Sequence, residues 1–207
     1  MLKRPTPQRL RDYWDSHADR YDQQMTFFDR HLFADSRQWV CSRATGRVLE
    51  VAIGTGLNLP YYPTDVQLTG LDFSPAMMDQ ARRAADELGR DVELIPGDAQ
   101  DLPFDAAAFD TVVCTYGLCS IPDDRTAVSE IVRVLRPGCL LLLADHVEAA
   151  HWPARAVQGL LELVTVPCAE EHFRRRPIHH ITAFGLPIEA HDRFKLGIVE
   201  RLAARKP

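Results

Sequence analysis

The sequence predicts an α/β fold, a doubly wound and mostly parallel sheet of seven strands, with helices before it and an antiparallel last strand. Three observations carry this. After Gly46, apolar runs of strand length alternate with helical patterns. The first of those runs leads directly into a glycine turn, Gly54-Thr55-Gly56. Two final runs, 187–194 and 197–204, are separated only by Lys195-Leu196, a connection short enough for a hairpin.

In chain order, residues 9–44 carry apolar and aromatic positions at helical spacing (Leu10, Tyr13, Trp14, Tyr21, Met25, Phe28, Leu32, Trp39, Val40), which predicts two helices. Strands are predicted at 47–53, 66–72, 91–96, 109–115 and 139–146, with helices near 75–89 and 123–135 between them. Such βαβ units give a parallel sheet. A further helix is expected where the glycine turn of 54–56 runs on. Ser74-Pro75 pairs an N-cap with a first-turn proline, and Gly89 stops that helix. Arg136-Pro137-Gly138 is expected to end the next helix and turn into the apolar strand that begins at Cys139. A helix follows near 153–170.

The chain of 207 residues, 46% hydrophobic, is long enough for one sizeable core and too short for two comfortable ones. A net charge of −5 without long runs of either sign argues against a nucleic-acid surface. No window approaches a membrane span, so a cytoplasmic protein without an integral membrane segment is expected. The five cysteines form no C-x-x-C pair, and most of them read as small core residues. His172, His179 and His180 have no carboxylate or cysteine at ligand spacing, and no metal site is expected.

In a doubly wound sheet, ligands sit beyond the carboxyl ends of the strands at the switch point. Gly54 and Gly56 stand at the end of the first strand, where missing side chains let backbone N–H groups approach a ligand. Asp72, 16 residues beyond Gly56, ends the second strand, where a carboxylate can accept both hydroxyls of a ribose. Each feature alone has a plainer reading, a tight turn or a helix-start residue; the pair within one βαβ unit points to a nucleoside. A dinucleotide site would want a further glycine where Leu59 stands, followed by Pro60, so a nucleoside without a pyrophosphate fits better than NAD.

These residues resemble the class I S-adenosylmethionine-dependent methyltransferases, a family with a Rossmann-like fold. Glu50-Val51-Ala52-Ile53-Gly54-Thr55-Gly56 is similar to the family motif E-V-G-x-G-T-G, with Ala52 replacing a glycine. The resemblance implies that Asp72 holds the ribose, Phe73 lies against the adenine, and the acid of Gly97-Asp98-Ala99 reads its amino group. The run 109–115 looks like the fourth strand, leading through Thr115 to Tyr116-Gly117-Leu118 under the sulfonium. Residues 133–138 match R-x-L-R-P-G, with Cys139 in place of a second glycine. Asn58 and Met77 complete the expected cofactor set. Tyr13-Trp14 through Tyr21-Asp22 resembles the W-x-x-x-A-x-x-Y-D opening of relatives whose first helix closes over the cofactor, which places Tyr13 and Tyr21 at its methionine end. One domain is therefore expected, with 1–45 as a helical lid, 46–148 as the cofactor-binding core and 149–207 as the acceptor-side helix and strand hairpin.

The resemblance implies methyl transfer to a small, largely apolar acceptor. The run 56–62 is similar to bacterial phosphatidylethanolamine N-methyltransferases, and 114–120 to alkyl-thiol methyltransferases. The organisation resembles ubiquinone and menaquinone C-methyltransferases, whose F-G-x-R-N is replaced here by Tyr116-Gly117-Leu118-Cys119-Ser120. His146, just past an apolar strand, is the candidate base. Residues 149–187 are expected to form the acceptor wall, and Arg174-Arg175-Arg176 to be either a solvated turn or an anionic head-group contact. A protein that binds the cofactor without turnover is the alternative, motivated by Ala52. A monomer and a homodimer both remain open.

Overall fold

The structure is a computed structural model that describes residues 5–207. A seven-stranded sheet has the order β3-β2-β1-β4-β5-β7-β6, with β1 at Arg47–Val51, β2 at Gln67–Asp72, β3 at Val92–Pro96, β4 at Phe109–Thr115, β5 at Leu135–His146, β6 at Ile188–Phe194 and β7 at Val199–Arg205. The first five are mutually parallel, and β7 runs antiparallel to both β5 and β6. The order reverses between β1 and β4. There the register Val51↔Cys114 and Val51↔Leu71 sets Ala52, Thr115 and Asp72 side by side at the carboxyl edge.

The central strands are buried on both faces, which is why they read as continuous apolar runs. Leu49, Val51, Val112 and Leu141 pack against Val128 and Ile131 of α4 (Asp124–Val134) and Ile181 of α6 (Pro177–Ala183). On the opposite face Val48, Val113 and Leu142 meet Val40 and Cys41 of α2 (Ser36–Cys41) and Ala85 of α3 (Pro75–Leu88). The helix ends follow local chemistry. The Ser74 hydroxyl accepts from Met77 N at 3.2 Å, Gly89 takes the left-handed φ of 61°, and Asp123 caps α4.

Three expectations are corrected. The connection after the glycine turn holds only a short 3₁₀ turn, Leu59–Tyr61, because Pro60 and Pro63 withdraw the N–H groups a helix needs there. Strand β5 starts at Leu135, before Arg136-Pro137-Gly138 rather than after it. Arg136 Nε donates to Ala107 O at 3.1 Å and holds that stretch extended, Gly138 takes φ 77°, and the ladder slips between Phe109↔Leu135 and Thr111↔Leu140. An additional helix, α6, lies within 149–187.

The remaining helices are α1 (Pro7–Phe28), which runs through a π-helical turn (Asp29–Phe33) towards α2, and α5 (Trp152–Ala169). The latter is packed inside out. It buries Gln158, which donates to Val147 O and accepts from Ala149 N at 2.8 Å each, and Glu162, which pairs with Arg174 at 2.7 Å. It turns Trp152, Leu160, Leu163 and Val164 to the surface, the first 75% exposed. No helix among the described residues is long and apolar enough to cross a membrane.

Candidate active site

A cavity of about 240 Å³ opens where the sheet order reverses. Its floor is the carboxyl edge of β1, β2 and β4, and its roof is α1 through Leu10, Trp14 and Tyr21. Those three positions, four and seven residues apart, share one helix face. The predicted residues Tyr21, Ala52, Gly54, Asp72, Phe73, Met77, Gly97, Asp98, Ala99, Thr115 and Tyr116 all line it.

Asp72 is buried, and both its oxygens are engaged: Oδ2 accepts from Gly54 N at 2.8 Å and Oδ1 from Ser74 N at 2.9 Å. Burial pushes its carboxyl up from the ordinary value, against the lowering effect of those amides. A carboxylate offers about four lone-pair sites, so capacity remains for two hydroxyls. Gly54, at φ 59°, has nothing within 4 Å of where a Cβ would stand. Asp98, at the exposed rim, accepts from Gln100 Nε2 at 2.9 Å. Arg11 lies over the Phe73 ring, 4.7 Å from its centroid.

The other predicted residues fall outside the lining. Gly56, at φ 85°, is glycine because a Cβ would stand 2.9 Å from Leu59 and 3.2 Å from Ala81 of α3; it lets the turn approach that helix. Glu50 is fully buried beneath the floor and accepts from Asn58 Nδ2 at 2.6 Å and Tyr62 Oη at 2.9 Å. Burial pushes its carboxyl up to about 7. Asn58 also donates to Thr115 Oγ1 at 2.8 Å, so Glu50 and Asn58 brace the floor from below. Leu118 is a core residue. Tyr13 turns from the cavity and stacks on His17, centroids 4.0 Å apart.

His146 is also outside the lining. It is buried at the end of β5, with Nε2 3.5 Å from Glu171 and the ring 4.9 Å from Phe173. Burial works to lower its pKa, but the Glu171 hydrogen bond and the Asp145 charge outweigh it, so the net shift is upward. Nε2 faces Glu171 and Nδ1 is buried without a partner among the described residues, so neither ring nitrogen is placed to take a proton from a molecule in the cavity. Cys119, Asp145 and His146 bring one donor atom each within 4.8 Å of one another, a cluster the sequence spacing had hidden. Burial raises the Cys119 thiol well above its ordinary value, so it stays protonated beside Asp145.

No residue of 149–187 lines the cavity, and the loop Ser120-Ile121-Pro122 stands at its edge. Arg175 fixes this loop by donating to the carbonyls of Leu118, at 2.9 Å, and Pro122, at 3.0 Å. Arg176 pairs with the buried Glu200, and Arg174, though half exposed, with Glu162, so all three side chains of the triplet are engaged within the protein.

Sequence reasoning missed Arg37 and Trp14. Trp14 was legible from its helical spacing to Leu10 and Tyr21. Arg37 was not, because its partners are Asp29, Asn58 and Thr115, the last two remote in sequence. It also missed the latch on α1. Asp15 accepts from Ser74 Oγ at 2.5 Å and Ala76 N at 3.2 Å, Asp19 from Gln80 Nε2 at 2.8 Å, and Asp22 from Thr55 Oγ1 at 2.5 Å. Positions i, i+4 and i+7 put these carboxylates on one face, bonded to α3 and to the glycine turn.

Residues 49–143, the strands and turns that build this floor, match the family described as Methyltransferase domain. The chain belongs to the class I S-adenosylmethionine-dependent methyltransferases. It is 41% identical over 118 residues to a phosphatidylethanolamine N-methyltransferase of Cereibacter sphaeroides, a match spanning 56% of this chain and 58% of that one. It is 30% identical over 152 residues to the ubiquinone/menaquinone biosynthesis C-methyltransferase UbiE of Geotalea daltonii, spanning 67% and 63%. The chain thus covers less than two thirds of either relative. A solved SAM-dependent methyltransferase from Methanosarcina mazei shares the fold, with a TM-score of 0.64 at 22% identity over 77% of this chain and 92% of that one. The family's cofactor is S-adenosylmethionine, and the cavity's donor set fits it: a buried carboxylate with spare acceptor capacity, an open glycine at left-handed φ, and an apolar slot beside Phe73 and Met77.

Proposed function

We propose that this methyltransferase transfers the methyl group of S-adenosylmethionine to a small, largely apolar acceptor. The observation that carries the reading is a single cavity of two characters. Asp72, Gly54 and Thr115 supply a polar floor at the strand ends, and Leu10, Trp14, Ile121 and Pro122 an apolar roof. Bound there, the cofactor supplies an electrophilic methyl carbon.

This chain's residues bind, align and exclude water. Asp72 fixes the ribose, Phe73 and Met77 flank the base with Asp98 at the rim, and the α1 roof and Pro122 loop cover the acceptor. Positioning of this kind can supply on the order of 7–11 kcal/mol of the barrier. No histidine, cysteine or glutamate lines the cavity among the described residues, its aspartates are engaged by Gly54 and Ser74 (Asp72) and by Gln100 (Asp98), and burial pushes the Tyr21 hydroxyl far above its ordinary value. Transfer therefore relies on an acceptor already nucleophilic, with its electron pair forming the new bond to carbon while the sulfur keeps the pair of the bond that breaks.

Within this reading a lipid-like acceptor is supported by the relatives, named for phosphatidylethanolamine and quinone, and by the apolar outer face of α5. Calorimetric titration with S-adenosylmethionine, S-adenosylhomocysteine and NADH should show binding of the first two alone. Asp72→Ala should weaken that binding at least 100-fold, because two charge-assisted bonds of about 1.5–3 kcal/mol each are lost. A labelled-methyl assay on phosphatidylethanolamine vesicles, a demethylated quinol and an alkyl thiol then identifies the acceptor. Binding without transfer to any extract component would support the reading without turnover.

A further inference from the structure

The guanidinium of Arg37 is held from two sides and left open on the third. Its Nε donates to both oxygens of Asp29, at 2.9 and 3.1 Å, and its Nη1 donates to Asn58 Oδ1 at 3.0 Å and Thr115 Oγ1 at 3.4 Å. Nη2 is buried and has no partner among the described residues, on a side chain only 9% exposed that lines the cavity. The plane lies 5.0 Å from the Tyr116 ring centroid. Asp29, 29% exposed, engages the opposite edge, so the cavity edge keeps its positive character.

Thr115 adds a second donor. Its oxygen accepts from Asn58 Nδ2 and Arg37 Nη1, which leaves its own O–H to donate, and it too lines the cavity. Two N–H groups and one O–H, fixed by a buried network that runs down to Glu50, make a pre-organised receptor with no acceptor of its own. A buried charged donor without a partner is costly, and an anionic oxygen, such as one of a carboxylate, is the acceptor that satisfies it best.

We propose that Arg37, helped by Thr115, is the carboxylate receptor of this cavity. The carboxylate comes from the amino-acid end of the cofactor or from an acidic acceptor, and the test separates these. This deepens the methyl-transfer reading and rests on it for the first source only.

Calorimetry on the full chain compares S-adenosylhomocysteine with 5′-methylthioadenosine, which lacks the amino-acid end, for wild type, Arg37→Met and Arg37→Lys. The proposal expects Arg37→Met to weaken S-adenosylhomocysteine on the order of 100-fold while methylthioadenosine stays within about threefold, with Arg37→Lys between. For the second source the probes are dodecanoate and dodecanol, titrated into protein loaded with S-adenosylhomocysteine. A preference for dodecanoate that vanishes in Arg37→Met assigns the receptor to the acceptor. If both ratios are the same in Arg37→Met as in wild type, the proposal is overturned. Should the variant fail to fold, the carboxamide of S-adenosylhomocysteine replaces it. Wild-type protein that binds this neutral ligand as tightly as the acid, and shows no preference for dodecanoate, overturns it equally. Wild type that binds neither adenosine ligand counts against the cofactor reading instead, and the dodecanoate comparison, run on the unloaded protein, still decides Arg37.

Discussion

Ala52 is the residue of the glycine turn whose replacement tests the local physics most directly. It adopts φ 56°, and a Cβ added to Gly117 would stand 2.8 Å from its methyl. The left-handed backbone costs an L-residue about 1–2 kcal/mol. Glycine removes that strain but loses about 0.5–1 kcal/mol to the greater freedom of the unfolded chain. It also forfeits part of a half-buried methyl contact, less than about 0.8 kcal/mol. Ala52→Gly should thus be neutral to stabilising, by about 0–1 kcal/mol, with a Tm rise of up to about 4 °C. Ala52→Val adds branching at a position that tolerates it poorly and drives a methyl towards Gly117 and the cavity; a loss of about 2 kcal/mol or more is expected. Ala107 has the same φ of 56° away from the cavity, so Ala107→Gly is the control for strain alone. Differential scanning fluorimetry and titration with S-adenosylhomocysteine give the readout. The expected order of stability is Gly, then Ala, then Val, with affinity in Ala52→Gly unchanged or tighter. A fall of more than about 1 kcal/mol in Ala52→Gly with none in Ala107→Gly would refute the reasoning, because the methyl would then be supporting the turn rather than straining it.

Glu50 titrates near 7 in the folded chain against 4.5 as its ordinary value. Its raised pKa favours folding fully below about 4.5, and this contribution is lost as pH rises from there through 7. Glu50→Gln should therefore gain on wild type by up to about 3 kcal/mol between pH 5 and pH 8 in urea unfolding; parallel profiles would sink this account. Asp22→Ala removes the bond from Thr55 to α1 and should speed release of S-adenosylhomocysteine about tenfold in stopped-flow chase experiments, since a hydrogen bond to a charged group contributes about 1.5–3 kcal/mol. An unchanged release rate would mean that α1 does not move as a roof.

Much of the sheet was readable because its signals are local. Ser74-Pro75 and Gly89 bracket α3, and continuous apolar runs mark strands buried on both faces. The pairing of Asp72 with the glycine turn was readable for the same reason, a motif inside one βαβ unit. What escaped was set by distant partners. The inverted burial of α5 exists because Gln158 and Glu162 bond the chain at Val147, Phe173 and Arg174, and no periodicity within 152–169 encodes that. His146 was assigned to the correct strand edge, yet an edge position does not say whether a side chain faces the ligand or, as here, Glu171 and Phe173.

The site's lining makes a last prediction about pH. A group that takes a proton from the acceptor must stand within hydrogen-bond reach of it, directly or through one water. The described lining offers two carboxylates, two tyrosines and Arg37. Burial pushes Tyr21 and Tyr116 up, out of useful range, Asp72 is committed to Gly54 and Ser74, and Asp98 at the rim is engaged by Gln100. The acidic limb of kcat/KM, where the acceptor gains its proton and stops being nucleophilic, should then follow the acceptor's own ionisation. With a series of alkyl and aryl thiols, the apparent pKa of that limb should track the free thiol, falling as the thiol becomes more acidic. His146→Gln should leave that tracking intact. A limb fixed at one pH across the series, and abolished in His146→Gln, would instead place the imidazole in the reaction path and require the Phe173 segment to open towards the cavity during turnover.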